Sequence, residues 1–145
     1  MAIQTELARW IIVIMGLAEN SVMDLRRKEI SLMVTAACGV SGGILRMVEG
    51  LAWKDFFLAL VPGVICLMLV FATKEQVGFG DAWVLLATGC CVNASDLFTA
   101  MWLSMTGLSL VALFLYVVLQ KNGRFEIPFV PFILAGILCA RSIGV

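Results

Sequence analysis

Six apolar runs separated by short charged breaks divide the chain, at about 6–23, 30–48, 55–73, 82–95, 97–119 and 127–143. A helix needs roughly 20 residues to cross an apolar layer of about 30 Å. Five runs meet or approach that length. The fourth, opening with "AWVLLATGCCVN", reaches the polar Asn93-Ala94-Ser95-Asp96 early. At about 1.5 Å per residue it covers only part of a bilayer. It is either a short helix with a recessed mouth or a longer one running on to Thr99. The pattern predicts an all-α fold, a polytopic membrane helix bundle of about six transmembrane helices, with residues 1–145 as a single domain. Gly39 and Gly43 form a small-xxx-small face for close helix approach. Pro62-Gly63 is expected to kink the third helix.

Composition agrees with this pattern. The chain is 62% hydrophobic and 14% charged, with a mean hydropathy of +1.06. Soluble chains run roughly 45–50% apolar and about 25% charged. Zero formal net charge gives no reason to expect a nucleic-acid partner. The absence of histidine excludes His-ligated metals, Ser-His and Cys-His pairs, and histidine relays. Cys38, Cys66, Cys90, Cys91 and Cys139 lie in apolar runs without Cys-x-x-Cys spacing, as packing residues do. "MAIQTELARW" lacks the basic start of a cleaved signal, so the first run reads as a retained helix.

Basic residues orient the bundle. Arg26, Arg27, Lys28, Lys74, Lys121 and Arg124 fall on one side; Arg9, Arg46, Lys54 and Arg141 fall on the other. The dense Arg26–Lys28 cluster puts the first, third and fifth loops in the cytoplasm and both termini outside.

The acids then need explaining. Glu6, Glu49, Asp55 and Asp96 fall at expected helix ends where water reaches them, and Glu29, Glu75 and Glu126 have basic neighbours. Glu19, Asp24 and Asp81 stand apart. Asp24 follows the first apolar run in "SVMDLRRKEIS", and Asp81 precedes the fourth in "GFGDAWVLL". They are 57 positions apart and fall on the same side of the six-helix topology. Two close carboxyls cannot both ionise easily, so one keeps a proton while the other activates water. Gly78 and Gly80 permit backbone angles that side chains forbid, and let an extended substrate backbone approach. The start of a helix should favour ionised Asp81. Glu19 lies five residues before Asp24, about 140° past a full turn. It therefore faces elsewhere and reads as a polar contact.

Three stretches resemble the type IV prepilin peptidase family. Asp24-Leu25-Arg26-Arg27-Lys28-Glu29-Ile30 resembles its first aspartate motif. Gly78-Phe79-Gly80-Asp81 resembles its second, the GxGD form shared with other intramembrane aspartyl proteases. "FEIPFVPFILAG", Phe125 to Gly136, is similar to the start of the family's last helix. The resemblance implies a leader peptidase that cuts the basic leader from prepilin or pseudopilin-like substrates at the cytoplasmic face of the inner cell membrane. It implies Asp24 and Asp81 as the catalytic pair and Gly78, Phe79 and Gly80 as substrate-binding positions. No metal and no organic cofactor is expected. The chain resembles the short, peptidase-only form, with no methyltransferase domain expected. It departs from the family pattern at Trp83, where a lysine is common, and at Ser31, where a proline is common. Two other readings are open: a small ion-coupled transporter using Glu19 and Asp81, or a non-catalytic partner in pilus assembly.

Overall fold

The structure, a computed structural model, describes residues 2–50, 52–73, 78–118 and 127–143. These residues form six helices: α1 (Ala2–Arg27), α2 (Leu32–Val48), α3 (Trp53–Ala72), α4 (Phe79–Cys91), α5 (Ala94–Val117) and α6 (Val130–Ile143). Among the described residues there is no strand. Two helices, α3 and α5, are long and apolar enough to cross a membrane, while α2, α4 and α6 are shorter apolar helices. Lys74, Glu75, Lys121, Arg124, Phe125 and Glu126, which figured in the sequence reading, lie outside the described residues.

Helix α4 packs between α2 and α3; α1 joins α2 to α6, and α5 pairs with α6 and reaches α3. The core is apolar, with Leu97, Ile133, Ile137, Val84 and Val130 sealed from solvent. Small residues set how closely α2 and α4 approach, but not the pair expected. A Cβ on Gly39 would press on Ala87, and one on Gly42 would press on Cys91, while Gly43 has open space around it. The contact stripe is therefore Gly39 and Gly42, three apart, not Gly39 and Gly43. Helix α3 runs unbroken through Pro62.

The fourth run resolves as the short helix. It has 13 residues, about 20 Å of rise, and Thr99 belongs to α5. The last carbonyls of any helix lack partners within it, and leaving them bare in apolar surroundings costs several kcal/mol. Two buried arginines satisfy them. Arg9 donates to the Cys91 carbonyl at 2.6 Å. Arg46 donates to the carbonyls of Gly89 at 3.2 Å and Val92 at 2.8 Å. Each arginine is paired with an acid, Arg9 with Glu49 at 2.8 Å and Arg46 with Asp55 at 2.6 Å. The Asp55 carboxylate also accepts the Ala94 backbone N–H, at 3.2 Å, at the start of α5.

This corrects the expectation that water reaches Asp96 and freely solvates Glu49, while Asp55 stays partly exposed as expected. Arg9 and Arg46 are buried, Glu49 and Asp55 hold them in place, and Asp96 is 4% exposed. Glu6 keeps a half-exposed pairing with Arg141. Cys139 is exposed, unlike the packing role expected of it.

Candidate active site

At the opposite end from the arginine pairs, three helix ends converge on a cavity of about 470 Å³. It is lined by Asp24, Lys28, Ile30, Gly78, Phe79, Gly80, Asp81, Ile127, Pro128 and Phe129. Both aspartates and all three residues of the glycine segment before Asp81 face this one space.

Asp24 does not follow α1; it sits in the helix's last turn, and α1 runs to Arg27. It is 9% exposed, where a loop acid would be solvated. The turn beyond it is built tightly. The Lys28 N–H donates to the Asp24 carbonyl at 3.0 Å, with Lys28 in the left-handed region at φ 53°. That closes α1 as a glycine usually would, and it brings Lys28 to the cavity wall. The next helix then starts at Ser31, whose hydroxyl accepts the Val34 N–H. Buried Asn20 bridges α1 and this turn: its Oδ1 accepts the Ser31 N–H at 3.0 Å and its Nδ2 donates to Thr35 Oγ1 at 3.1 Å. Serine where the family commonly has proline thus has a local reason, because proline has no N–H to give Asn20.

Asp81 stands in the first turn of α4, three residues after the N-cap Gly78, and its N–H donates to the Gly78 carbonyl at 3.1 Å. It is therefore inside the helix rather than before it. The two glycines have distinct spatial jobs. A Cβ on Gly78 would run into the Asp81 carboxyl, and a Cβ on Gly80 would run into the Ile30 side chain. Gly78 thus leaves room for the acid, and Gly80 lets α4 meet the turn between α1 and α2. Phe79 is 41% exposed and stacks edge-on against Trp83, ring centres 6.1 Å apart. Trp83 occupies the outer side of α4, 40% exposed, and does not line the cavity.

The third wall is the start of α6. Ile127, Pro128 and Phe129 face the cavity, and the Phe129 carbonyl accepts the N–H groups of Phe132 and Ile133 at 3.0 and 3.2 Å. The Val130 N–H donates to Asp24 Oδ2 at 3.3 Å. Sequence reasoning marked this stretch only through its family resemblance. A backbone donor has no side-chain signature, and the proline-flanked helix start was the one available signal.

Both carboxyls lie at helix ends, outside the apolar runs. Burial pushes Asp24 above the usual carboxylate range, and the Val130 hydrogen bond pulls back against it. Asp81 is pushed up to about 6, first by burial and then by the negative charge of Asp24. The helix start was expected to favour ionised Asp81; burial and the neighbouring acid push in the opposite direction. Glu19 is exposed on α1 while Asp24 is buried, as their angular separation requires.

Fold and cavity together define a class: an all-helical protein that holds two partly desolvated carboxyls, from distant parts of the chain, in one cavity at a bundle end. Within that class the chain belongs to the type IV leader peptidase family, whose model matches residues 11–140. No curated protein and no solved structure gives a match.

Proposed function

We propose that this protein is a multi-pass membrane aspartyl endopeptidase that removes the basic leader from prepilin or pseudopilin-like precursors, with Asp24 and Asp81 as its dyad. Residues 1–145 form one such domain, set in the inner cell membrane with the cavity at the cytoplasmic face. The observation that carries this reading is the shared cavity. Two carboxyls 57 positions apart in sequence line it together, beside the Gly78-Phe79-Gly80 backbone. The apolar outer surface supports a bilayer setting: Met33, Phe71, Trp102, Tyr116 and Val48, on three different helices, are each more than two-thirds exposed, as lipid-facing side chains are.

The chemistry needs one water and the pair. A carboxylate takes a proton from the water, whose oxygen attacks the scissile carbonyl, while the protonated partner donates to the carbonyl oxygen. Gly78, Phe79 and Gly80 border the path along which an extended substrate backbone reaches the acids. The substrate's apolar helix stays in the bilayer against the bundle, and its basic leader stays at the surface.

Co-expression with a prepilin substrate tests the reading. Asp24→Asn and Asp81→Asn are each expected to abolish leader removal, read as the shift between precursor and mature bands. If either variant processes the precursor at the normal rate, the dyad is wrong. A transporter would instead give flux in proteoliposomes without cleavage, and an assembly partner would work equally well with both asparagines.

A further inference from the structure

The two aspartates are chemically identical, but the fold surrounds them differently. Asp24 Oδ2 accepts the backbone N–H of Val130, the first residue of α6. That N–H has no acceptor within its own helix, and it lies at the positive end of the helix dipole. A donor of this kind favours a carboxylate over a carboxylic acid. Asp81 receives no hydrogen bond from a described residue. Its surroundings are Gly78, the cavity, Asp24 and, from α3, the neutral Cys66 thiol, which feels the Asp81 charge.

We propose that the Val130 backbone N–H is the positioning group that keeps Asp24 ionised, which makes Asp24 the base and Asp81 the acid of the pair. The assignment rests on the dyad reading above. Asp24 takes a proton from water as the water oxygen bonds to the scissile carbon, and Asp81 gives its proton to the carbonyl oxygen. The resulting diol collapses with cleavage of the C–N bond. Asp24 then passes its proton to the leaving nitrogen, and Asp81 recovers one from a diol hydroxyl. Products are a free acid and an amine, and the pair returns to its starting state. The raised Asp81 pKa agrees with the same order of proton loss.

Few other charges face Asp24 among the described residues. Asp81 faces it from α4 and Lys28 from the end of its own helix, while Ile30 before α2 and Ile127, Pro128 and Phe129 before α6 bring none. Among the described residues, the α6 donor is the hydrogen bond that Asp24 has and Asp81 lacks.

Val130→Pro removes the N–H at the helix position where proline fits best. Val130→Ala keeps the N–H and trims the side chain. The measurement is the pH profile of kcat/KM for a prepilin-derived peptide with a basic leader, using full-length enzyme in lipid nanodiscs. Val130→Pro is expected to move the acid limb up by about one pH unit, as loss of a hydrogen bond to a charged group would, and Val130→Ala to leave it in place. An unmoved acid limb in Val130→Pro, or an equal shift in Val130→Ala, overturns the proposal.

A second measurement holds even where the proline variant fails to fold. In wild-type enzyme with ¹³C-carboxyl aspartate, the resonance lost in Asp24→Asn should titrate at lower pH than the one lost in Asp81→Asn. The reverse order overturns the assignment. The two resonance titrations do not depend on cleavage, so cleavage by the asparagine variants would sink the dyad reading separately.

Discussion

At Asp81 the proposed function and the stability of the fold pull apart. Its carboxyl is pushed up to about 6 by burial and by Asp24, from an ordinary value of 3.8. A folded pKa above the unfolded one means that the folded chain binds the proton more tightly. Stability from this group is then fully present below about pH 4 and is lost as pH rises through about 6. Asp81→Asn removes the cost of the buried charge, so it should melt higher than wild type by roughly 2–5 °C above pH 6. Below pH 4 the two should melt together. A thermal melt across that range decides it, and a variant less stable at neutral pH would contradict the electrostatic picture. Ser31 offers the opposite case, where one backbone N–H stabilises a turn. Ser31→Pro, which restores the residue common in the family, leaves the Asn20 Oδ1 acceptor unpaired. The expected loss, read in denaturant unfolding, is about 1–2 kcal/mol beyond that of a Ser31→Ala control, which keeps the N–H but gives up the N-cap hydroxyl that the proline variant also lacks.

At the scale of elements, the short α4 is the part of the fold on which the proposed chemistry depends, because its first turn carries Asp81 and its last turn is buried. Its length was only half legible in sequence. Asn93-Ala94-Ser95-Asp96 marked an interruption, and glycines before Asp81 marked a start. Its ending depends on partners from other helices that no local pattern reveals. Arg9 and Arg46 looked like flanking charges because sequence cannot distinguish an arginine in water from one donating to another helix's carbonyls. Asp24 likewise falls just past the first apolar run, since "DLRRKE" is polar enough to end a helix, while α1 in fact continues until Lys28 turns left-handed. The arginine system gives a direct test. Arg46→Met orphans the Gly89 and Val92 carbonyls and leaves Asp55 without its 2.6 Å partner. Breaking a buried pair costs about 3–5 kcal/mol, and the partly exposed Asp55 brings the expected loss to the lower end, about 3 kcal/mol. Adding Asp55→Asn removes the stranded charge and should recover part of that loss. If the double variant is less stable than Arg46→Met alone, the paired-charge account fails.

On the scale of the whole molecule, the buried arginines also sharpen the orientation argument. Arg9 and Arg46 are held inside the bundle with acids against them, so they do not act as free flanking charges. The far end then keeps exposed Lys54 and the paired Arg141, while Arg26 and Arg27 stand exposed beside the cavity. Free positive charge favours the cytoplasmic side, so on the proposed membrane placement the cavity faces the cytoplasm, where a basic leader waits before export. Reporter cysteines test this at both ends. In a Cys139→Ala background, which removes the exposed native thiol, Arg27→Cys should resist a membrane-impermeant maleimide in intact spheroplasts and react in inverted vesicles. Lys54→Cys should show the reverse. Labelling of Arg27→Cys from outside the cell would place the carboxyl cavity away from the cytoplasm. The pair would then be on the wrong side for a leader that is cut before export, even with its helices packed as described.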